Sequence, residues 1–262
     1  MFLLFLFFKN IVLIKKKKNK LFEIDGFDIN IITNNKNHAA IKLNNFIKKN
    51  KNIKILKSNL RFKGSNLIFA DGIFLSSFFV HRVLKDNILD LQTKEIFLLD
   101  GNNTKLTQIA LENIYPKVNY LTLMTENKNI YEKQVHEIFC DSGLNIQIVG
   151  FNKYLLNNAD ITINFNDKFN FCYSIKKNSL IINLLINNLM ISNLKNKRPD
   201  LKIIDNINFI YKNKKIKCDL AEIILFNKYK DFEKLFLHKK FDKNLFYKIK
   251  EKINKELDLI LQ

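Results

Sequence analysis

Residues 95–127 read EIFLLDGNNTKLTQIALENIYPKVNYLTLMTEN, and they decide the fold. The pattern continues as a helical run to Gly143, then NIQIVG (145–150), NNADITINF (157–165) and SLIINL (179–184). Apolar runs of strand length alternate here with amphipathic segments of helix length, the pattern of a parallel α/β sheet. Glu95–Leu99 is a short apolar strand followed by Asp100, Gly101, Asn102 and Asn103, all turn formers. Leu106, Ile109, Ala110 and Ile114 then recur at helical spacing, with Lys105, Gln108 and Glu112 on the opposite face. Pro116 has no N–H with which to continue a helix and ends that run. Tyr120–Met124 is the next strand. Tyr131, Val135, Ile138 and Ser142 line a second helix, and Gly143 stands where a left-handed C-terminal cap belongs. Ile146–Val149, Ile161–Phe165 and Leu180–Leu185 complete five strands, which helical crossovers make parallel.

The expected fold class is therefore α/β. A Rossmann-like doubly wound parallel sheet spans residues 93–194, with a smaller α/β lobe and a linking helix over 1–92. A C-terminal strand, hairpin and helices over 195–262 are expected to pack back on the N-terminal lobe.

The order strand, Gly turn, helix, strand, acidic residue, helix, strand, short helix, then Ala159-Asp160-Ile161-Thr162-Ile163-Asn164 resembles one known arrangement. It is similar to the nucleotide-binding domain of the shikimate dehydrogenase and glutamyl-tRNA reductase group, and covers about a third of the chain. That resemblance implies NAD or NADP as cofactor. The family's turn is of the G-x-G-x-x-G type, whose glycines permit a tight turn and close pyrophosphate approach. Here the turn departs from it, holding Gly101 alone ahead of Asn102, Asn103 and Thr104. Ala70-Asp71-Gly72 loosely resembles the N-T-D-G that opens the family's linking helix, without its Asn-Thr. No lysine motif matching the family's catalytic one is present, and Asp71 reads as a helix N-cap that needs no catalytic role.

In open parallel sheets ligands bind beyond the carboxyl ends of the strands, where strand order switches. Gly101, Asn102, Asn103 and Thr104 would then stand at a helix N-terminus, whose free N–H groups and dipole favour a phosphate. Glu126 lies 25 residues beyond Gly101, near the end of the second strand, where an acidic side chain would take a ribose 2′-hydroxyl and favour NAD. Asn164 and Asn183, at strand ends, either line the same crevice or cap their strands. On this reading Gly101→Val damages nucleotide binding more than stability. The competing reading is a non-enzymatic binding or assembly module that keeps the fold without the cofactor.

Outward from this core, charge is uneven. The formal net charge of the 262 residues is +19, yet residues 95–194 carry −1, against +12 for residues 1–94 and +8 for residues 195–262. Of 44 basic residues only Arg61, Arg82 and Arg198 are arginine, the residue whose planar fork reads bases and phosphates, so no strong nucleic-acid signal arises. Cys140, Cys172 and Cys218 form no C-x-x-C pair and fit a reducing, cytoplasmic setting. His38, His81, His136 and His238 show no metal-ligand spacing, and no metal is expected.

Met1–Phe8 is apolar but too short for a bilayer span. It extends the strand Ile11–Ile14, forms with Lys15–Lys18 a weak membrane-surface contact, or is an unstructured segment or truncated anchor. Asp28–Ile32 and Ile53–Leu56 are further strands flanking a helix that starts at Ala39 and ends in the Lys48–Lys51 region. Phe74, Phe78, His81, Leu84, Ile88 and Leu91 give the linking helix an apolar face so broad that it must be buried, with His81 a hydrogen-bonded core histidine. Beyond Arg198-Pro199-Asp200, Leu201–Ile204 reads as a strand and 209–218 as a hairpin with a lysine-rich tip. Asp231 and Asp242 cap helices, the last of them with an apolar stripe running from Leu245 to Ile260.

Overall fold

The computed structural model describes residues 10–19, 24–33, 41, 45, 55–58, 68–166, 174–184, 188–205, 207–238 and 240–261. Met1–Phe8, His38, Arg61, Cys172 and most of the helix expected from Ala39 to the Lys48–Lys51 region lie outside them. The chain divides into two compact units, residues 1–71 with 222–229, and residues 72–221 with 230–262.

The first unit holds a four-stranded sheet of β1 (Asn10–Asn19), β2 (Ile24–Thr33), β3 (Ile55–Ser58) and β4 (Ile68–Phe69), in that order. β1 and β2 are antiparallel, with Ile11 opposite Ile32, and β3 and β4 add in parallel. Lys15–Lys18 are part of β1, Lys15 opposite Asp28 and Lys18 opposite Asp25. The lysine run thus belongs to a paired strand.

The second unit opens with α1 (Ile73–Asn87). Ile73–Val80, Val83 and Leu84 are buried around almost its whole girth, as the breadth of the apolar stripe requires. The helix ends before Ile88, which is extended, so Ile88 and Leu91 are not part of its stripe as expected. Its N-cap position is Gly72, in the left-handed region (φ 81°), with no side-chain cap; Asp71 does not cap it.

The Rossmann-like sheet follows as β5 (Glu95–Leu99), α2 (Thr104–Ile114), β6 (Tyr120–Met124), α3 (Lys128–Ser142), β7 (Gln147–Val149), β8 (Ile161–Asn164) and β9 (Leu180–Asn183). Then come α4 (Asn188–Lys197) and β10 (Lys202–Ile204). All six strands are parallel, in the order β7-β6-β5-β8-β9-β10. Five strands were expected within residues 93–194; β10 is the sixth, pairing Lys202 with Leu180 beyond that boundary. In chain order the sheet reads 3-2-1-4-5-6, the doubly wound dinucleotide-fold arrangement. Strand order reverses between β5 and β8. Phe97 and Leu99 of β5, Met124 of β6 and Ile181 of β9 share one buried cluster with Leu156, Ala159 and Leu194, the period-two face of the strands.

Pro116 sits in a single 3₁₀ turn directly after α2, and Gly143 closes α3 in the left-handed region (φ 73°), its N–H donating to Phe139 O at 2.8 Å. Two residues of α2 depart from the expected polar face, for Lys105 (6% exposed) and Glu112 (0%) are buried. Glu112 accepts from Gln134 Nε2 (2.8 Å) and Tyr247 Oη (2.8 Å), so its carboxylate is paired on both oxygens.

The remainder of this unit comprises β11 (Ile207–Tyr211), β12 (Lys214–Lys217), α5 (Cys218–Lys228, its later turns in the first unit), α6 (Lys230–Leu237), α7 (Lys243–Glu256) and β13 (Asp258–Leu261). The expected hairpin is β11–β12, turned at Lys212 and Asn213, both at positive φ (47° and 61°). Asp242 caps α7 as expected, accepting Leu245 N–H at 2.9 Å, whereas Asp231 lies inside the first turn of α6. The stripe of α7 stops at Ile253 and Leu257; Ile260 belongs instead to β13, which pairs antiparallel with β11. Phe246 of α7 meets Phe78 of α1 at 5.3 Å between ring centroids, and Phe232 and Phe236 of α6 meet Phe74 at 5.0 and 5.1 Å. The C-terminal helices therefore pack on the linking helix through aromatic pairs.

Candidate functional site

The carboxyl ends of β5 and β8 meet at the reversal of strand order, and Asp100 lies at the centre of their junction. It follows β5 directly, its N–H extending the ladder to Met124 O (2.9 Å), and it is 2% exposed. Oδ1 accepts from Gly101 N–H (2.9 Å), Thr107 Oγ1 (2.8 Å) and Tyr131 Oη (2.6 Å), while Oδ2 accepts from Thr125 Oγ1 (2.7 Å). Four donors from the turn, α2, α3 and the end of β6 thus converge on one buried carboxylate. Such a group is stable only when its lone pairs are satisfied. Burial, reinforced by the neighbouring Asp100 charge, pushes the Tyr131 phenol up, which keeps it a donor. Sequence reading treated Asp100 as one more turn former. The signal for its role was an acidic residue at a strand's carboxyl end with Thr107 one helical face away.

Gly101 is held closely for a different reason than expected. A Cβ on it would lie 1.7 Å from the Phe165 carbonyl oxygen, in the turn after β8. Phe165 is fixed there by its own N–H donating to Leu99 O (2.9 Å), and Asn166 Nδ2 donates to Asp100 O (2.9 Å). The glycine is required by the approach of another turn's backbone. Gly101→Val thus damages the fold first, correcting the sequence-based expectation.

Asn164 is the last residue of β8 and is buried. Its Nδ2 donates to Asn183 Oδ1 (2.8 Å) and its Oδ1 accepts from Asn166 N–H (2.9 Å), so the two strand-end asparagines are tied to each other. Asn102 and Asn103 are exposed and Thr104 half-buried at the start of α2. Asn103 occupies the N-cap position and places no side-chain oxygen on the helix's first N–H groups. Glu126, exposed, follows β6 immediately after Thr125, whose Oγ1 also accepts Asn127 N–H (2.9 Å). Gly101, Asn164 and the start of α2 are therefore brought to the switch point, with Glu126 one strand away beyond β6.

Behind this edge, Lys105 turns away from the crevice. Its Nζ donates to the carbonyls of Leu235 (2.9 Å), His238 (2.9 Å) and Phe236, capping the carboxyl end of α6. Burial lowers its pKa to about 8. Among the described residues no cluster of three His, Cys, Asp or Glu side chains could hold a metal ion, and no helix is long and apolar enough to cross a membrane.

No protein-family model and no curated protein matches the sequence. Solved structures do. The 5-ketofructose reductase of Gluconobacter sp. strain CHM43 matches at 15% identity and a TM-score of 0.38, over 73% of this chain and 66% of its own. A chorismate mutase/shikimate 5-dehydrogenase fusion protein from Clostridium acetobutylicum matches at 13% and 0.30, over 71% and 62%. A shikimate 5-dehydrogenase-like protein matches at 14% and 0.32, over 82% of both chains. The chain thus spans less than two thirds of the first two proteins. The Rossmann-like assignment stands on strand order.

Proposed function

We propose that the protein binds a nicotinamide dinucleotide, NAD or NADP, at the carboxyl edge of its parallel sheet, as a dehydrogenase-like Rossmann protein. The observation that carries this reading is the start of α2, lacking a side-chain cap and placed at the reversal of strand order. The N–H groups of Thr104 and Lys105, ahead of the Leu106 N–H that donates to Asn103 O (3.0 Å), have no carbonyl of their own helix to meet, and with the helix dipole they suit a phosphate. In this reading Asn102, Asn103 and Thr104 receive the pyrophosphate. Gly101 shapes the turn, Glu126 takes the ribose 2′-hydroxyl, and the Asn164–Asn183 pair holds the wall contributed by β8. The bound group would supply hydride chemistry; the chain's own residues supply position and charge.

One observation favours the alternative, a non-enzymatic binding or assembly module. The Gly101 N–H, which a bound phosphate would use, is already given to Asp100, and the Phe165 carbonyl stands over the glycine. A phosphate at α2 must therefore sit farther along the turn than in a glycine-rich loop, at Asn103 and Thr104.

Calorimetric titration of the full chain with NAD and with NADP separates the two. Binding of NAD in preference to NADP, weakened by Thr104→Glu without loss of thermal stability, is the expected result. Absence of heat at millimolar ligand would leave the module reading in its place.

A further inference from the structure

At the opposite end of the sheet from the switch point, where β5 begins, a cavity of about 370 Å³ opens beside the end of α1. His81 and Lys85, four residues apart on α1, share one side of that helix and line the cavity with Lys117, which follows α2. Ile88, Leu89 and Leu91 give it an apolar wall, and Asp90 is the one carboxylate in the lining. Leu89 is fully exposed (101%), a large apolar side chain with nothing over it.

His81 is not the hydrogen-bonded core histidine its sequence position implied. It is half-buried, and among the described residues its imidazole has no hydrogen-bond partner. Burial lowers its pKa, and Lys250, Lys117, Lys85 and Arg82 lower it further, so four cations bear on one ring. Arg82 is engaged elsewhere, its Nη1 donating to Leu257 O (3.4 Å), and Lys250 lies against the Phe246 ring. Lys85 and Lys117 are exposed, with no ion pair among the described residues. A half-open space with three basic groups and one acid favours negative charge more strongly than open solvent does.

We propose that this cavity binds a small organic anion, its phosphate or carboxylate oxygens held by His81, Lys85 and Lys117 and its apolar body laid against Ile88, Leu89 and Leu91. The site is independent of the dinucleotide reading and lies away from Gly101 and Asn164.

Phenyl phosphate is a suitable probe, followed through the imidazole resonances of His81, assigned with His81→Gln. Binding at millimolar concentration should move those resonances and raise the His81 pKa, as an anion beside an imidazole does. Affinity should fall about tenfold in Lys85→Gln/Lys117→Gln, two exposed positions whose change should leave the melting temperature alone. Inorganic phosphate, without an apolar body, should bind more weakly. Benzoate in the same titration separates phosphate from carboxylate preference. Unmoved His81 resonances, or equal affinity in the double variant, would overturn the site. Equal binding of inorganic and phenyl phosphate would overturn the ligand class. NAD titration of the double variant should match the unaltered protein, which keeps this test apart from that of the switch point.

Discussion

Two buried charges define the residue scale, and they are satisfied in different ways. Asp100 is held by four donors on four separate pieces of chain. Asp100→Ala strands the hydroxyls of Thr107 and Thr125 and leaves Tyr131 only its longer bond to Thr104 O (3.2 Å), so a loss of about 3–5 kcal/mol is expected in denaturant unfolding. A loss below about 1 kcal/mol would mean that water replaces the carboxylate without strain. Lys105 is held by three carbonyls, and burial sets its folded pKa near 8 against 10.5 for the ordinary group. Below pH 8 both the folded and the unfolded chain keep the proton. Between pH 8 and 10.5 the unfolded chain binds more protons, so stability rises with pH, by no more than about 1.4 kcal/mol per pH unit. Stability measured against Lys105→Met across that window should show the slope, and a flat difference would place the folded pKa near its ordinary value. In the sequence the Asp100 role left only a weak signal, an acidic residue at a strand's carboxyl end, and the Lys105 role left none. An aspartate before a glycine and a lysine on a helix look like a turn and a solvated face until the third dimension supplies their partners.

Elements were more legible, because periodicity and punctuation are local. Glu95–Leu99 and Tyr120–Met124 are strands with the bounds their apolar runs imply, and Pro116 and Gly143 end α2 and α3 where backbone chemistry requires. The errors came where one element depends on a distant one. The sixth strand, Lys202–Ile204, is short and becomes part of the sheet only by pairing with β9. Ile260 continues the helical stripe of α7 in sequence, yet β11 draws it into a strand. The breadth of the apolar face on α1 did indicate burial, and Phe78 is 4% exposed among the rings of Phe74, Phe232 and Phe246. Phe78→Asp places an unpaired carboxylate in that aromatic cluster, at several kcal/mol. Insoluble or unfolded protein is expected, judged by circular dichroism and soluble yield; an unchanged melting temperature would show that the helix face tolerates water.

At the scale of the whole molecule, the sequence showed that charge and fold are distributed separately. The net charge of +19 resides in residues 1–94 and 195–262, while residues 95–194, which supply five of the six parallel strands, carry −1. An anion at the start of α2 would therefore be received by backbone N–H groups more than by lysines. Pairs such as Lys195–Asp205 (3.0 Å) and Lys248–Asp231 (3.1 Å) form among the described residues, but the net +12 and +8 of the flanking segments leave like charge in excess, so their lysines repel one another on balance. Self-repulsion of this kind destabilises a compact state and is relieved by screening. Raising monovalent salt from about 0.01 M to about 1 M shortens the Debye length from about 30 Å to about 3 Å. The melting temperature should rise across that range, with most of the gain complete by about 0.15 M, where screening reaches about 8 Å. A melting temperature that falls with salt would mean that ion pairs outweigh repulsion, and that the lysine excess is a stabilising network in place of a solvated surface.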